Sequence, residues 1–154
     1  MDAERIRFLY RTEEGRIDRA TWRRGAGALL AILAPLTLIW LALSPYAAHD
    51  LAQRPLFAPE TAAAYFYVLF YAFAVLLLAI SFVNLSAKRF RDRGRTPPLG
   101  LASLAPLLAL LSGAAHFLQP RVAEVMSRWY VWGVDAALVA AIVWTVYELG
   151  WRDN

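Results

Sequence analysis

Four long apolar runs alternate with short charged connections along this chain. Residues 25–49, 61–87, 96–120 and 129–147 make up 96 of the 154 residues and carry one charge, Asp135, while the remaining 58 residues carry the other 27. A helix that crosses a hydrocarbon core of ~30 Å needs roughly 20 mostly apolar residues. The pattern therefore predicts four spanning helices, at about 25–44, 61–85, 97–118 and 129–149. The expected fold is all-α: one polytopic membrane domain over 1–154, its four transmembrane helices in an antiparallel bundle behind a charged leader, 1–24.

Local signals refine the boundaries. Asp18 reads as the N-cap of a helix starting near Arg19, and Pro45 helps to end the first span. Thr96 followed by Pro97 reads as an N-cap with proline at the first helical position. Gly150 reads as the C-terminal stop of the fourth span. In the leader, Ile6, Leu9 and Tyr10 share one helical face among Glu4, Arg5, Arg7 and Arg11. This fits a short amphipathic segment in the headgroup layer, or a frayed terminus. The first run reads as retained rather than cleaved, because 24 residues of mixed charge precede it and it exceeds the length of a signal peptide's apolar stretch.

Composition agrees, with 60% hydrophobic and 18% charged residues, against about 45 to 50% and 25% for soluble domains. The chain has no cysteine, and its two histidines, His49 and His116, are too few for a typical zinc site. No phosphate-binding loop, nucleophile elbow or metalloprotease string is present. Neither enzyme activity, a metal nor a cofactor is expected. The net charge of +4 does not point to nucleic acid, because the basic residues cluster at the ends of the apolar runs, as orientation signals do.

Those clusters predict the topology. The leader, the 86–97 loop and the tail together carry thirteen Lys and Arg, against three in the 46–60 and 119–128 loops. The heavier side is expected in the cytoplasm, with both termini. Trp22 and Trp151 are expected at the inner interface, and Trp129 and Trp132 at the outer one.

Asp135 is an intramembrane candidate by default. Its position one turn past Trp132 places it near the outer surface, with His116 and Arg128 as candidate partners. Thr37, Ser81, Asn84, Ser103, Ser112 and Thr145 are too sparse for a polar pathway through one protomer, and interhelical hydrogen bonding is their simpler use. The string Leu-Ala-Pro-Leu occurs mid-span at 33–36 and 104–107. It reads as tolerated proline rather than as a duplicated transport unit.

The cytoplasmic face holds two basic strings, Gly15-Arg16-Ile17-Asp18-Arg19 with Trp22 behind it, and Lys88 to Arg95. Asp92 is expected to bridge to Arg16 or Arg19, tying leader to loop. The alternative is that the residues of both strings serve only as orientation signals. The two strings resemble those of domain-of-unknown-function family 805, the YhaH-like small bacterial inner-membrane proteins. Gly15, Arg16, Ile17, Arg19 and Trp22 match the first string of that family, and Arg89, Asp92, Gly94 and Arg95 match the second. Arg91 stands where the family usually has His, Thr21 where it has an aromatic, and Pro97-Pro98 where it has a small-aromatic pair. The resemblance implies an integral protein of the bacterial inner (plasma) membrane whose biochemical activity is not established. It also singles out Arg16, Arg89, Asp92 and Arg95, with Arg19, as anion-binding or structural ion-pair candidates, and leaves the orientation reading to Lys88 and Arg93.

The expected role is an interaction or lipid-binding module whose partners are the bilayer, its anionic headgroups, and a second copy or another membrane protein. The alternative is a small oligomeric transporter or channel subunit that uses Asp135.

Overall fold

Capping chemistry sets where the helices begin. A computed structural model describes residues 3–47 and 58–152. The His49 and Arg54 part of the expected 46–60 loop lies outside the described residues. Helix α1 is Ala3–Tyr10 and α2 is Arg19–Leu43. Asp18 caps α2 as expected, its carboxylate accepting from the backbone N–H groups of Ala20 and Thr21 at 3.2 and 3.3 Å. Hydrogen bonding from Thr21, ahead of the Ala20 amide, holds this carboxyl below the ordinary carboxylate range. A 3-10 turn, Ser44–Ala47, closes the first span at Pro45.

Helix α3, Pro59–Asp92, has 34 residues. At 1.5 Å per residue it is about 51 Å long, so it overruns a ~30 Å hydrocarbon core. Its last turns stand beyond the bilayer at the leader end. Helix α4, Pro98–Leu118, starts one residue later than expected. Pro97 is extended there, with φ −79° and ψ 126°, because the ring of Pro98 disfavours helical backbone in the residue before it. Thr96 therefore is not the cap, and Pro98 takes the first helical position. Pro35 and Pro106 lie inside continuous helices.

Helix α5, Arg128–Val146, begins at the Ser127 cap and passes into a π-helical turn, Tyr147–Trp151. Gly150 is inside that turn with an ordinary negative φ, so it is not the expected stop. Its reason is proximity: a Cβ on Gly150 would stand 3.2 Å from Trp22 Cζ3.

Chain neighbours pack antiparallel, α2 on α3, α3 on α4 and α4 on α5. Helix α2 meets the fourth span through the Tyr147–Trp151 turn, which closes the row of helices at the leader end. The chain is thus a multi-pass membrane protein with four helices long and apolar enough to span. Its buried apolar cluster is also at the leader end, where Leu9, Ile17, Trp22, Leu85, Phe90 and Leu149 come together. Large apolar residues of the mid-spans such as Phe66, Leu69 and Leu107 are exposed on the outside of the bundle. This division follows from the solvent. Apolar burial is driven where water is the alternative, whereas acyl chains are as apolar as leucine.

Trp22 is buried within this cluster. It is not a lipid-facing belt residue as expected, because its indole N–H is directed to Ser86 Oγ at 3.1 Å and its ring meets Phe82 edge-on. Trp129, Trp132 and Trp151 are exposed, as an aromatic belt requires.

Gly150→Val is expected to destabilise the protein by about 1–3 kcal/mol, the cost of overpacking against a held ring. Gly133→Ala, where a Cβ meets open space, is expected to hold or raise stability. Thermal unfolding of the two variants in detergent checks the difference.

Candidate functional site: the leader end of the bundle

The leader folds back onto the extended end of α3. Lys88, fully buried, donates to the backbone carbonyls of Leu9 and Asn84 at 3.3 Å each and to that of Thr12. Its ammonium also stands 5.1 Å from the centre of the Phe8 ring, near enough for a cation–π contribution. Asn84 donates to the Tyr10 carbonyl at 2.9 Å, Tyr10 donates to the Gly25 carbonyl at 3.2 Å, and Arg91 donates to the Glu13 carbonyl. Leu9 is buried in the cluster. Helix α1 is therefore formed rather than frayed, and it docks on α3 through Leu9 while Ile6 and Phe8 stay exposed.

The second centre is Glu148, which carries no signal of its role in the sequence around it. Only 2% exposed, it ion-pairs with Arg95 at 3.0 Å, Arg152 at 3.1 Å and Arg93 at 3.6 Å. A buried carboxylate is strongly unfavourable unless charge and hydrogen bonds replace its water. Three guanidinium groups do so here. Arg93 also donates to the backbone carbonyls of Glu148 and Arg152.

Gly94 makes this convergence possible. The carbonyls at the end of α3 are closed by Arg95 N–H on the Phe90 carbonyl at 2.9 Å and Gly94 N–H on the Arg91 carbonyl at 3.1 Å. This paired closure is a Schellman motif, with Gly94 at φ +64° in the left-handed position that glycine favours. The chain reverses there, so Arg93 and Arg95 both reach Glu148.

Asp92 does not bridge to the leader. It pairs with Arg89 one turn back on its own helix, because the i, i+3 spacing brings the two side chains together without long-range ordering. Arg89, buried, also donates to the Leu149 carbonyl at 3.5 Å. Arg19 donates to the Trp151 carbonyl at 3.2 Å. Arg16 is exposed and forms no side-chain hydrogen bond or ion pair among the described residues. Lys88 and Arg93, expected only to orient the chain, are thus central to its packing, while Arg16 faces outward.

At the far end of the bundle Asp135 faces α4. It accepts from Ser112 Oγ at 2.5 Å and lies 2.9 Å from His116 Nε2. His116 is thus a partner as expected, whereas Arg128 is not. Thr37 on α2 and Tyr71 on α3 are 3.0 Å apart, a second interhelical use of a span hydroxyl. Ser81 and Ser103 instead donate to carbonyls of their own helices. The hydroxyl of Thr145 is buried with no partner among the described residues. These described residues hold no cluster of three or more metal-ligating side chains.

Comparison of the chain with protein-family models, curated proteins and solved structures gives no match.

Lys88→Ala is expected to free the leader from α3. Hydrogen bonds to charged groups are worth about 1.5–3 kcal/mol each. Cleavage that samples the opened state tracks the opening equilibrium. Limited trypsin digestion after Arg11 and Arg16 should therefore be about tenfold faster than in the unsubstituted protein. Unchanged cleavage would show that the Lys88 contacts do not hold the leader.

Proposed function

We propose that this chain is a bacterial inner-membrane protein with both termini in the cytoplasm, acting by interaction, and that its basic leader-end face holds anionic phospholipid headgroups. The supporting observation is a division among the arginines. Arg89, Arg93 and Arg95 are engaged with Asp92, Glu148 and the Leu149 carbonyl. Arg5, Arg7, Arg11, Arg16, Arg23 and Arg24 are exposed and carry no side-chain partner among the described residues. A free guanidinium at the membrane boundary matches phosphate oxygens geometrically, and each is drawn to an anionic surface by about 1 kcal/mol.

Of the candidates named by the sequence, Arg16 belongs to this outward face, whereas Arg89 and Asp92 serve the scaffold. Arg95 is ion-paired but half exposed and stands at the edge of both. The excess of Lys and Arg at the leader end supports placing that end in the cytoplasm. The likeness of the two basic strings to family 805 supports the inner membrane. The transporter or channel alternative is supported by the Asp135 cluster alone.

Replacing Arg16, Arg23 and Arg24 together by Gln is expected to lower phosphatidylglycerol and cardiolipin retention in detergent several-fold without moving the unfolding temperature. Arg89→Gln should do the opposite, costing stability with lipid retained by the folded fraction. Undiminished retention in the triple variant would contradict the reading. Native mass spectrometry beside a thermal melt measures both.

A further inference from the structure

The far end of the bundle carries a second feature that the basic face does not use. Between the 3-10 turn Gln119–Arg121 and the start of α5 lies a cavity of about 860 Å³ that is widely open to its surroundings, its volume within the ~300–1,000 Å³ range of small-ligand sites. Its walls include Gln119, Glu124, Met126, Arg128, Trp129 and Trp132. The Trp129 and Trp132 rings meet edge to face at 5.0 Å, and both indoles are more than half exposed. The loop beneath them is ordered by its own backbone, with Met126 N–H on the Val122 carbonyl at 2.8 Å.

Two charges of opposite sign line this cavity, and they are not spent on each other. Glu124 and Arg128 are both exposed, and neither forms a side-chain hydrogen bond or ion pair among the described residues. A simple anion would satisfy Arg128 and be repelled by Glu124, and a simple cation would do the reverse. A ligand that carries both an ammonium and an anion satisfies both. Indole faces add attraction for the cationic end, and a guanidinium suits the oxygens of a phosphate.

The place of the cavity along the bundle favours a lipid source. The apolar helix α4 ends at Leu118 and α5 begins at Arg128, so the cavity lies where the chain leaves the hydrocarbon. Tryptophan settles at that headgroup depth.

We propose that this cavity binds the phosphoethanolamine headgroup of a membrane phospholipid, the ammonium between Glu124 and the two indoles and the phosphate on Arg128. The site is separate from the basic leader-end face and does not depend on which end lies in the cytoplasm.

The test uses the full chain in detergent, with native mass spectrometry to follow titration by phosphatidylethanolamine and, in parallel, phosphatidylglycerol. Glu124→Gln and Arg128→Gln are each expected to weaken phosphatidylethanolamine binding about tenfold, the loss of one charge-assisted contact. The leader-end triple variant, Arg16, Arg23 and Arg24 to Gln, should leave it unchanged, so failure at one face is distinguishable from failure at the other. Trp132→Leu provides a further variant that keeps both charges and should weaken binding through the lost indole. Phosphatidylethanolamine binding unaltered by all three far-end substitutions would overturn the proposal. So would equal loss of phosphatidylglycerol in Glu124→Gln, which would mark a general lipid contact. Free phosphoethanolamine competing as well as the lipid at equal concentration would also overturn it, by assigning the site to a soluble zwitterion.

Discussion

A carboxylate removed from water has to be surrounded by compensating charge, and in this protein that requirement falls on Glu148. Its partners come from two places, Arg93 and Arg95 just beyond α3 and Arg152 four residues on in its own tail. Breaking a buried pair of this kind costs about 3–5 kcal/mol, because the abandoned charge stays buried. The arrangement requires α3 to outrun the bilayer and Gly94 to reverse the chain, and it brings the π-helical turn of the fourth span against α2. Trp22 fits over Gly150 because the turn is held there, and Arg19 reaches the Trp151 carbonyl for the same reason. Helix α3, the tail and the start of α2 thus meet around one anion.

The two ends of the molecule solve different problems. Where water competes, the chain gathers Leu9, Ile17, Trp22, Phe90 and Leu149 into an apolar cluster and spends its cations on carbonyls and carboxylates. Within the hydrocarbon there is little gain from burying leucine, and the bundle leaves its aliphatic and aromatic faces outward. Polar contact is then local: Asp135 with Ser112 and His116, and Thr37 with Tyr71. The cations left over at the leader end are the ones free to meet phosphate, while the far end presents an uncommitted pair of opposite charges.

Much of the fold was legible because its signals are local. The length of each apolar run, the Asp18 cap and Pro45 need no knowledge of distant residues, and each has its expected place. The errors share a cause. Glu148 follows an apolar run and reads as a charge at a span's edge; nothing nearby shows that Arg93 and Arg95 fold over it. Lys88 reads as one more basic flanking residue until the leader lies across it and offers two carbonyls, those of Leu9 and Thr12. Asp92 has acceptable distant arginines in the leader, yet Arg89 stands one turn away, and local helical spacing decides its partner. Gly150 looked like a helix stop, but its lack of a side chain answers to Trp22, 128 positions earlier in the sequence. Thr96-Pro97 has the form of a cap and first helical residue, but Pro98 holds Pro97 extended and moves the helix start by one residue.

Amide hydrogen exchange of the full chain in lipid nanodiscs, comparing the unsubstituted protein with Glu148→Ala, tests most directly whether one buried anion holds the leader end together. If the buried carboxylate unites the leader end, exchange rises together in the leader, in residues 84–95 and in residues 147–152, while residues 119–135 at the far end keep their protection. A rise confined to residues 147–152, or no rise at all, would show that Glu148 is a local contact and that something else holds the leader end together.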